Sequence, residues 1–165
     1  TKYSDTLEAD DLISWGVELN EQNYPIVASI DKDLRQIPAC HFNYYKDKVK
    51  DDNGEYIIET YIDDNGDVKE RFVTDFRGFS YTTPQEGYEM LLEMLLIGDS
   101  ADGIKGVYGL GPKKTAKLLK GKTKVQQLKE VIKAYADTER LRKNIHLMQL
   151  SSYISVKDIK PSSGG

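Results

Sequence analysis

The run Pro25-Ile26-Val27-Ala28-Ser29-Ile30 limits what this chain can fold into more than any other feature. It is short, apolar and rich in β-branched residues, and it is bounded by Pro25 and Asp31. A strand buried inside a parallel sheet has this composition. It follows a segment, residues 8–19, in which Leu12, Ile13, Val17 and Leu19 recur at helical spacing. A helix leading into a buried strand is half of an α/β unit. His41 to Tyr45 predicts the next strand. With 165 residues, 39% apolar and 30% charged, the chain can bury a core and is neither disordered nor membrane-spanning in composition. Its first residues, TKYSDTLEADD, have neither the basic start nor the apolar stretch of a signal peptide. Cys40 is the single cysteine, so no intrachain disulfide can form, and a reducing, cytoplasmic compartment is expected.

Residues 51–73 contain the tetrad DDNG twice. Asn-Gly is a strong hairpin signal because both residues tolerate positive φ, so 55–62 and 68–73 are expected to pair around Asn65-Gly66. A calcium loop starting at Asp63 is excluded, because its twelfth position, which needs Glu, is Thr74. Thr83-Pro84-Gln85-Glu86 is a capping box with proline at the first helical position, and the helix it opens runs to about Ile97 before Gly98. A glycine-punctuated stretch then opens a helix near Pro112, and helical patterns follow at 124–136 and 138–150. The polar end KPSSGG is expected to fray. The expected division is a partial α/β core with an acidic hairpin over 1–82 and a helical region over 83–165.

Three acidic clusters stand out: Glu8, Asp10 and Asp11; Asp31 and Asp33; Asp99 and Asp102. Asp31 closes the strand, and in open α/β sheets ligands bind at carboxyl ends of strands. Asp99 and Asp102 share a face on a helical turn. Each cluster alone has a plainer role, as a helix cap or a first-turn acid. Gathered, these seven carboxylates would repel and require cations. Oxygen ligands without histidine or cysteine select Mg²⁺ or Mn²⁺, and two such ions can clamp the oxygens of a phosphodiester. His41 and His146 belong to no cluster.

The net charge of −4 conceals a polarity: 103–128 holds seven lysines and no acid. Within it, Gly106, Gly109 and Gly111 permit tight turns and close approach to phosphate, and Pro112 starts a helix whose amide end can receive an anion. Lys113 and Lys114 stand in that first turn, where the helix dipole disfavours them unless a phosphate intervenes. Such contacts position a duplex without reading its sequence. A nucleotide-binding P-loop is excluded because Pro112 holds the lysine position and no strand pattern precedes the glycines.

The order EADD, then S-x-D-x-D, then GD-x-x-DGI-x-G-x-x-G-x-G-x-K-x-A resembles the flap endonuclease and 5′-3′ exonuclease family, and SIDKDLRQIP is most similar to its phage-encoded branch. The resemblance covers about residues 6 to 150. It implies a PIN-like α/β nuclease core with a partial parallel sheet, joined to a helical helix–three-turn–helix DNA-binding part. It implies two-metal hydrolysis of DNA phosphodiesters at 5′ ends or branched junctions, in a bacterial or phage-infected cell. Carried over by motif, Glu8, Asp10 and Asp11 supply a first metal site, and Asp31, Asp33, Asp99 and Asp102 a second. Lys105, Gly106, Gly109, Gly111, Lys113, Lys114 and Lys117 would contact duplex or branched DNA, and the carbonyls of Val107 and Leu110 would hold K⁺. Family members begin with a strand ending in Asp and a basic helical arch, whereas only seven residues precede Glu8. The expectation is therefore a carboxyl-terminal part whose first metal site is completed by an amino-terminal half. A non-catalytic binding module for branched DNA is the alternative, and a PIN-domain ribonuclease a third reading.

Overall fold

A computed structural model describes residues 8–161. The first seven residues and the last four of KPSSGG lie outside them. The architecture is mixed α/β, with a small mixed sheet and five α-helices.

Helix α1 (Ala9–Leu19) leads through a short 3-10 turn into strand β1 (Ile26–Ala28), as the periodicity predicts. Ile13 and Val17 pack on a small core of Val27, Leu34, Ile37 and Ala39. Leu19, expected on the same face, is exposed. Strand β1 pairs in parallel with β2 (Cys40–Lys48), and β2 pairs antiparallel with β5 (Thr74–Tyr81), giving the order β1-β2-β5. The sheet is thus mixed, not the partial parallel sheet expected. The reading of β1 as a strand buried on both faces is also corrected: Val27 is buried, but Ile26 and Ala28 are exposed. Among the described residues no element covers the face that carries Ile26, Phe79 and Tyr81, and β1 is an edge strand.

Beyond residue 45 the sheet narrows into an arm. The pairing of β2 with β5 shifts register between Asn43 and Lys46, where Gly78 sits at φ 82°. Farther out, Val49 donates its amide to Val73, Val73 to Ile57 and Ile57 to Val49, a closed ring of backbone bonds. This ring ties the β3 (Ile58–Ile62) and β4 (Val68–Phe72) hairpin to the arm, with the register expected around Asn65-Gly66. Both DDNG tetrads make the same turn. The first aspartate of each, Asp51 or Asp63, accepts two downstream amides on Oδ1 at 2.9–3.0 Å. Only the glycines, Gly54 and Gly66, take positive φ. The asparagines do not, so the turn rests on an aspartate acceptor and one glycine rather than on an Asn-Gly pair.

Helix α2 (Pro84–Ile97) is the axis of the helical part. Thr83 Oγ1 accepts the Glu86 amide and Glu86 Oε2 accepts that of Thr83, the expected capping box. Leu91, Leu92, Leu95 and Leu96 are fully buried against α3 (Pro112–Leu119), α4 (Lys124–Tyr135) and α5 (Thr138–Met148). Burying each such leucine contributes about 1.5–3 kcal/mol. After α2, Gly98–Asp99 (β6) pairs antiparallel with Ile104–Lys105 (β7). A two-residue strand therefore does precede Gly106, but Pro112 still stands where a P-loop needs lysine.

Candidate active site and nucleic-acid interface

The three acidic clusters lie at the start of a helix, after a strand and in a tight strand connection. Glu8 and Asp11 belong to the amino end of α1, where Asp11 Oδ2 accepts the Glu8 amide at 3.3 Å. Asp31 follows β1 and accepts the Asp33 amide on Oδ1 at 2.9 Å, which starts the 3-10 turn Asp33–Gln36. Asp99 Oδ1 accepts the amides of Ala101 and Asp102, folding the β6–β7 connection. Each of these carboxylates thus performs the local structural task its position suggests, with one oxygen. Asp10 and Asp33 differ. Among the described residues neither side chain accepts a hydrogen bond, and both are half-buried.

Both carboxyls are held above the usual range. For Asp10 the first cause is burial, followed by the charges of Asp31, Glu8, Asp11 and Asp33. For Asp33 burial again leads, followed by Asp31 and Asp99, with Lys32 opposing and Asp102 adding. The charges that act on these two groups are the other five acids of the predicted site. Asp33 is the junction, since it feels the second cluster and the third and acts on the first. His41, which belongs to no cluster, is buried with Nε2 bonded to the Ile37 carbonyl at 2.8 Å.

The acidic side chains offer oxygen donors, the kind that hard divalent cations take. Among the described residues no three acidic, histidine or cysteine side chains converge tightly enough to enclose one ion. Mg²⁺ does not need such a cage, because it is commonly held by one or two carboxylates and keeps several waters. Burial is the first cause of these raised carboxyl pKa values, and the neighbouring carboxylates that add to it supply the part that a divalent cation would relieve.

The lysine-bearing segment begins where the third cluster ends. Gly98 and Gly106 cross in contact: a Cβ on Gly98 would lie 2.4 Å from the Gly106 nitrogen, and one on Gly106 would lie 2.4 Å from the Leu96 oxygen. Val107 donates to Leu96 at 2.8 Å, and Leu110 donates to Val107 at 3.2 Å. The Val107 carbonyl, expected to face K⁺, is therefore partly engaged within the turn. Gly109 turns at φ 77°, and Gly111 is the extended residue before α3. Lys105, Lys113, Lys114 and Lys117 are exposed, and Lys114 Nζ donates back to the Gly109 carbonyl at 3.0 Å. The helix start and its lysines are thus fixed to the glycine turn.

Three side chains missed by sequence reasoning brace this segment. Arg140 Nη1 donates to the Gly106 carbonyl at 2.7 Å and to that of Lys105 at 3.3 Å. Asn144 donates to the same Lys105 carbonyl and to Tyr135 Oη, both at 2.9 Å. The Tyr135 hydroxyl donates to the Leu95 carbonyl at the end of α2. Their only sequence signal was polar residues on the inner faces of two amphipathic helices. Tyr108, fully exposed at the tip, and Arg140 line an open cleft of about 600 Å³ beside Lys105 and Ser100. No protein-family model, curated protein or solved structure matched the chain.

Proposed function

We propose that the chain is the metal-binding and duplex-gripping portion of a PIN-like, divalent-metal-dependent 5′-nuclease that hydrolyses DNA phosphodiesters at 5′ ends or flaps. The observation that carries the reading is Asp33, a half-buried carboxylate without a side-chain hydrogen bond among the described residues, whose pKa is raised first by burial and then by acids of its own cluster and of one some seventy residues away in sequence. The family resemblance of the motif order supports the same chemistry. Asp31, Asp33, Asp99 and Asp102 would hold one ion, and Glu8, Asp10 and Asp11 contribute to a second. Bound there, divalent cations supply Lewis acidity to a phosphodiester and offset charge developing on its oxygens.

The chain's own residues do the positioning. The amides at the start of α3, with Lys113 and Lys117, take a duplex phosphate, while Lys114 holds the turn that presents them. Arg140 and Asn144 fix the distance from that grip to Asp99, because both bind the carbonyls of β7 that pair with the acidic loop. The unengaged carbonyl lone pairs of Val107 and Leu110 are the proposed K⁺ ligands between turn and DNA.

The test is a 5′-flap assay with Mg²⁺, on this chain alone and with an amino-terminal nuclease half added. Cleavage that is lost in Asp31→Asn/Asp33→Asn while flap binding persists is the expected result. Retained cleavage in that variant would reject the site. Tight flap binding without cleavage in either mixture would instead favour a non-catalytic DNA-binding module. That second reading has an observation of its own, the absence of a three-carboxylate cage among the described residues.

A further inference from the structure

The arm beyond the sheet separates its charges by face. On one face lie Lys46, Lys48 and Lys50 with Tyr56, Phe72 and Phe76. Lys46 Nζ stands 4.7 Å from the Phe76 ring centre, Lys48 Nζ 3.7 Å from Phe72, and Lys50 Nζ 4.8 Å from Tyr56. Tyr56 and Phe72 meet edge-on at 5.8 Å, so rings and ammoniums form one continuous stripe. Among the described residues none of these three lysines has a carboxylate within ion-pair distance. Several of the arm's acids are engaged elsewhere, while Glu70 stands on the Phe72 face toward the far end of the hairpin. Asp47 is bound bidentately by Arg77, and Glu59 pairs with Arg71, at positions that alternate to the opposite face. Asp51 and Asp63 fold into their own turns.

We propose that this stripe is a binding platform for single-stranded nucleic acid. Rings left 40–50% exposed offer stacking surface to unpaired bases, which a duplex does not present. Lysines on alternate residues of one strand recur about every 7 Å, a spacing that suits the phosphates of a stretched single strand. Each ammonium now rests on a ring. Base stacking is the stronger contact, so an arriving base displaces the ammonium toward a phosphate. The opposite face carries acids and bases already paired, Asp47 with Arg77, Glu59 with Arg71 and Lys69 with Asp63, so the unpaired ammoniums of the stripe favour binding on this face. The inference does not depend on the nuclease reading, since the α3 grip and this stripe share no residue.

The experiment follows labelled dT20 and rU20 by anisotropy with the whole chain across a salt series. Lys46→Gln/Lys48→Gln/Lys50→Gln is expected to reduce the slope of log K against log salt by about 2. Tyr56→Leu/Phe72→Leu is expected to weaken binding by about tenfold or more, while Tyr61→Leu on the other face leaves it unchanged. The lysine variants remove no apolar contact, so they test the stripe even if the leucine pair unfolds the hairpin. No binding by the intact chain, or binding unaffected by the lysine variants, overturns the proposal. So does a concentration-dependent dimer abolished by the leucine pair, which would make the stripe a contact between copies. Loss of duplex binding in Lys113→Ala/Lys117→Ala with dT20 binding retained would confirm that the two surfaces are separate.

Discussion

Asp33 shows how one side chain can carry information that its sequence position does not. Its folded-state pKa lies above the usual carboxyl range, first because of burial, so the folded chain holds that proton more tightly than the unfolded one. Its contribution is therefore favourable below the unfolded pKa and is lost as pH rises through the folded pKa. Asp33→Asn should raise Tm at pH 7 without divalent cations, and the gain should vanish as pH falls through the carboxyl range. Added Mg²⁺ at ten times its Kd should raise the native Tm by about 3–6 °C and the Asp10→Asn/Asp33→Asn variant much less. A thermal melt series with pH and Mg²⁺ as variables decides both, and equal Mg²⁺ shifts in the two proteins would remove the metal assignment. The acidic clusters were legible in sequence because acids beside a strand end are conspicuous. That Asp10 and Asp33 combine partial burial with no side-chain hydrogen bond was not, since it depends on which oxygens local turns consume. The glycines carry a similar lesson. Gly98 and Gly106 read as turn residues, but their contact across the β6–β7 pair is visible only in three dimensions. Gly98→Ala combines a φ of 84° with a Cβ only 2.4 Å from the Gly106 backbone nitrogen, and should cost more than about 2 kcal/mol in denaturant melts.

At the scale of elements, legibility followed periodicity. The helices α2, α4 and α5 were readable because side-chain caps mark their starts: Thr83, Thr123 and Asp137 each accept an amide of the first turn. Strand β5 was not, because Gly78, at φ 82°, interrupts the alternation that would have announced it. Helix α3 is the element on which the proposed grip depends, and its lysines are not equivalent. Lys113 and Lys117 are free to meet phosphates, so each replaced by alanine should lower the salt slope of duplex binding by about 0.9. Lys114 is already bonded to Gly109, so its loss should also loosen the turn and weaken binding beyond the electrostatic share. An unchanged slope in the Lys113/Lys117 pair, measured by anisotropy on a short duplex, would remove α3 from the interface.

The whole molecule is joined across one seam, and Gln36 is its centre. Its side chain is fully buried, with Nε2 donating to the Met148 carbonyl at 2.9 Å and Oε1 accepting the Leu150 amide at 2.6 Å. Its carbonyl accepts the Tyr153 hydroxyl, and Gly87 leaves the room for that contact, since a Cβ there would lie 2.3 Å from the Gln36 oxygen. Gln36 ends the 3-10 turn that Asp33 begins, so the seam ties a proposed metal ligand to α5 and the chain beyond it. Burial pushes the Tyr153 hydroxyl up to about 12, with a hydrogen bond from Ser151 opposing and Glu18 adding. The folded state thus keeps a proton that the unfolded chain loses near 10, and stability should fall between pH 10 and about 12. Tyr153→Phe should flatten that decline. Gln36→Leu leaves the Leu150 amide and Met148 carbonyl buried without partners, which should cost about 2–4 kcal/mol. Because Gln36 carries side-chain hydrogen bonds from the turn holding Asp33 to the helical side, the same variant should also reduce the Mg²⁺-dependent rise in Tm. If Gln36→Leu destabilised the fold yet kept the full Mg²⁺ shift, the seam would be structural alone, and the acidic cluster would be held together by α1 and β1 without help from the helices.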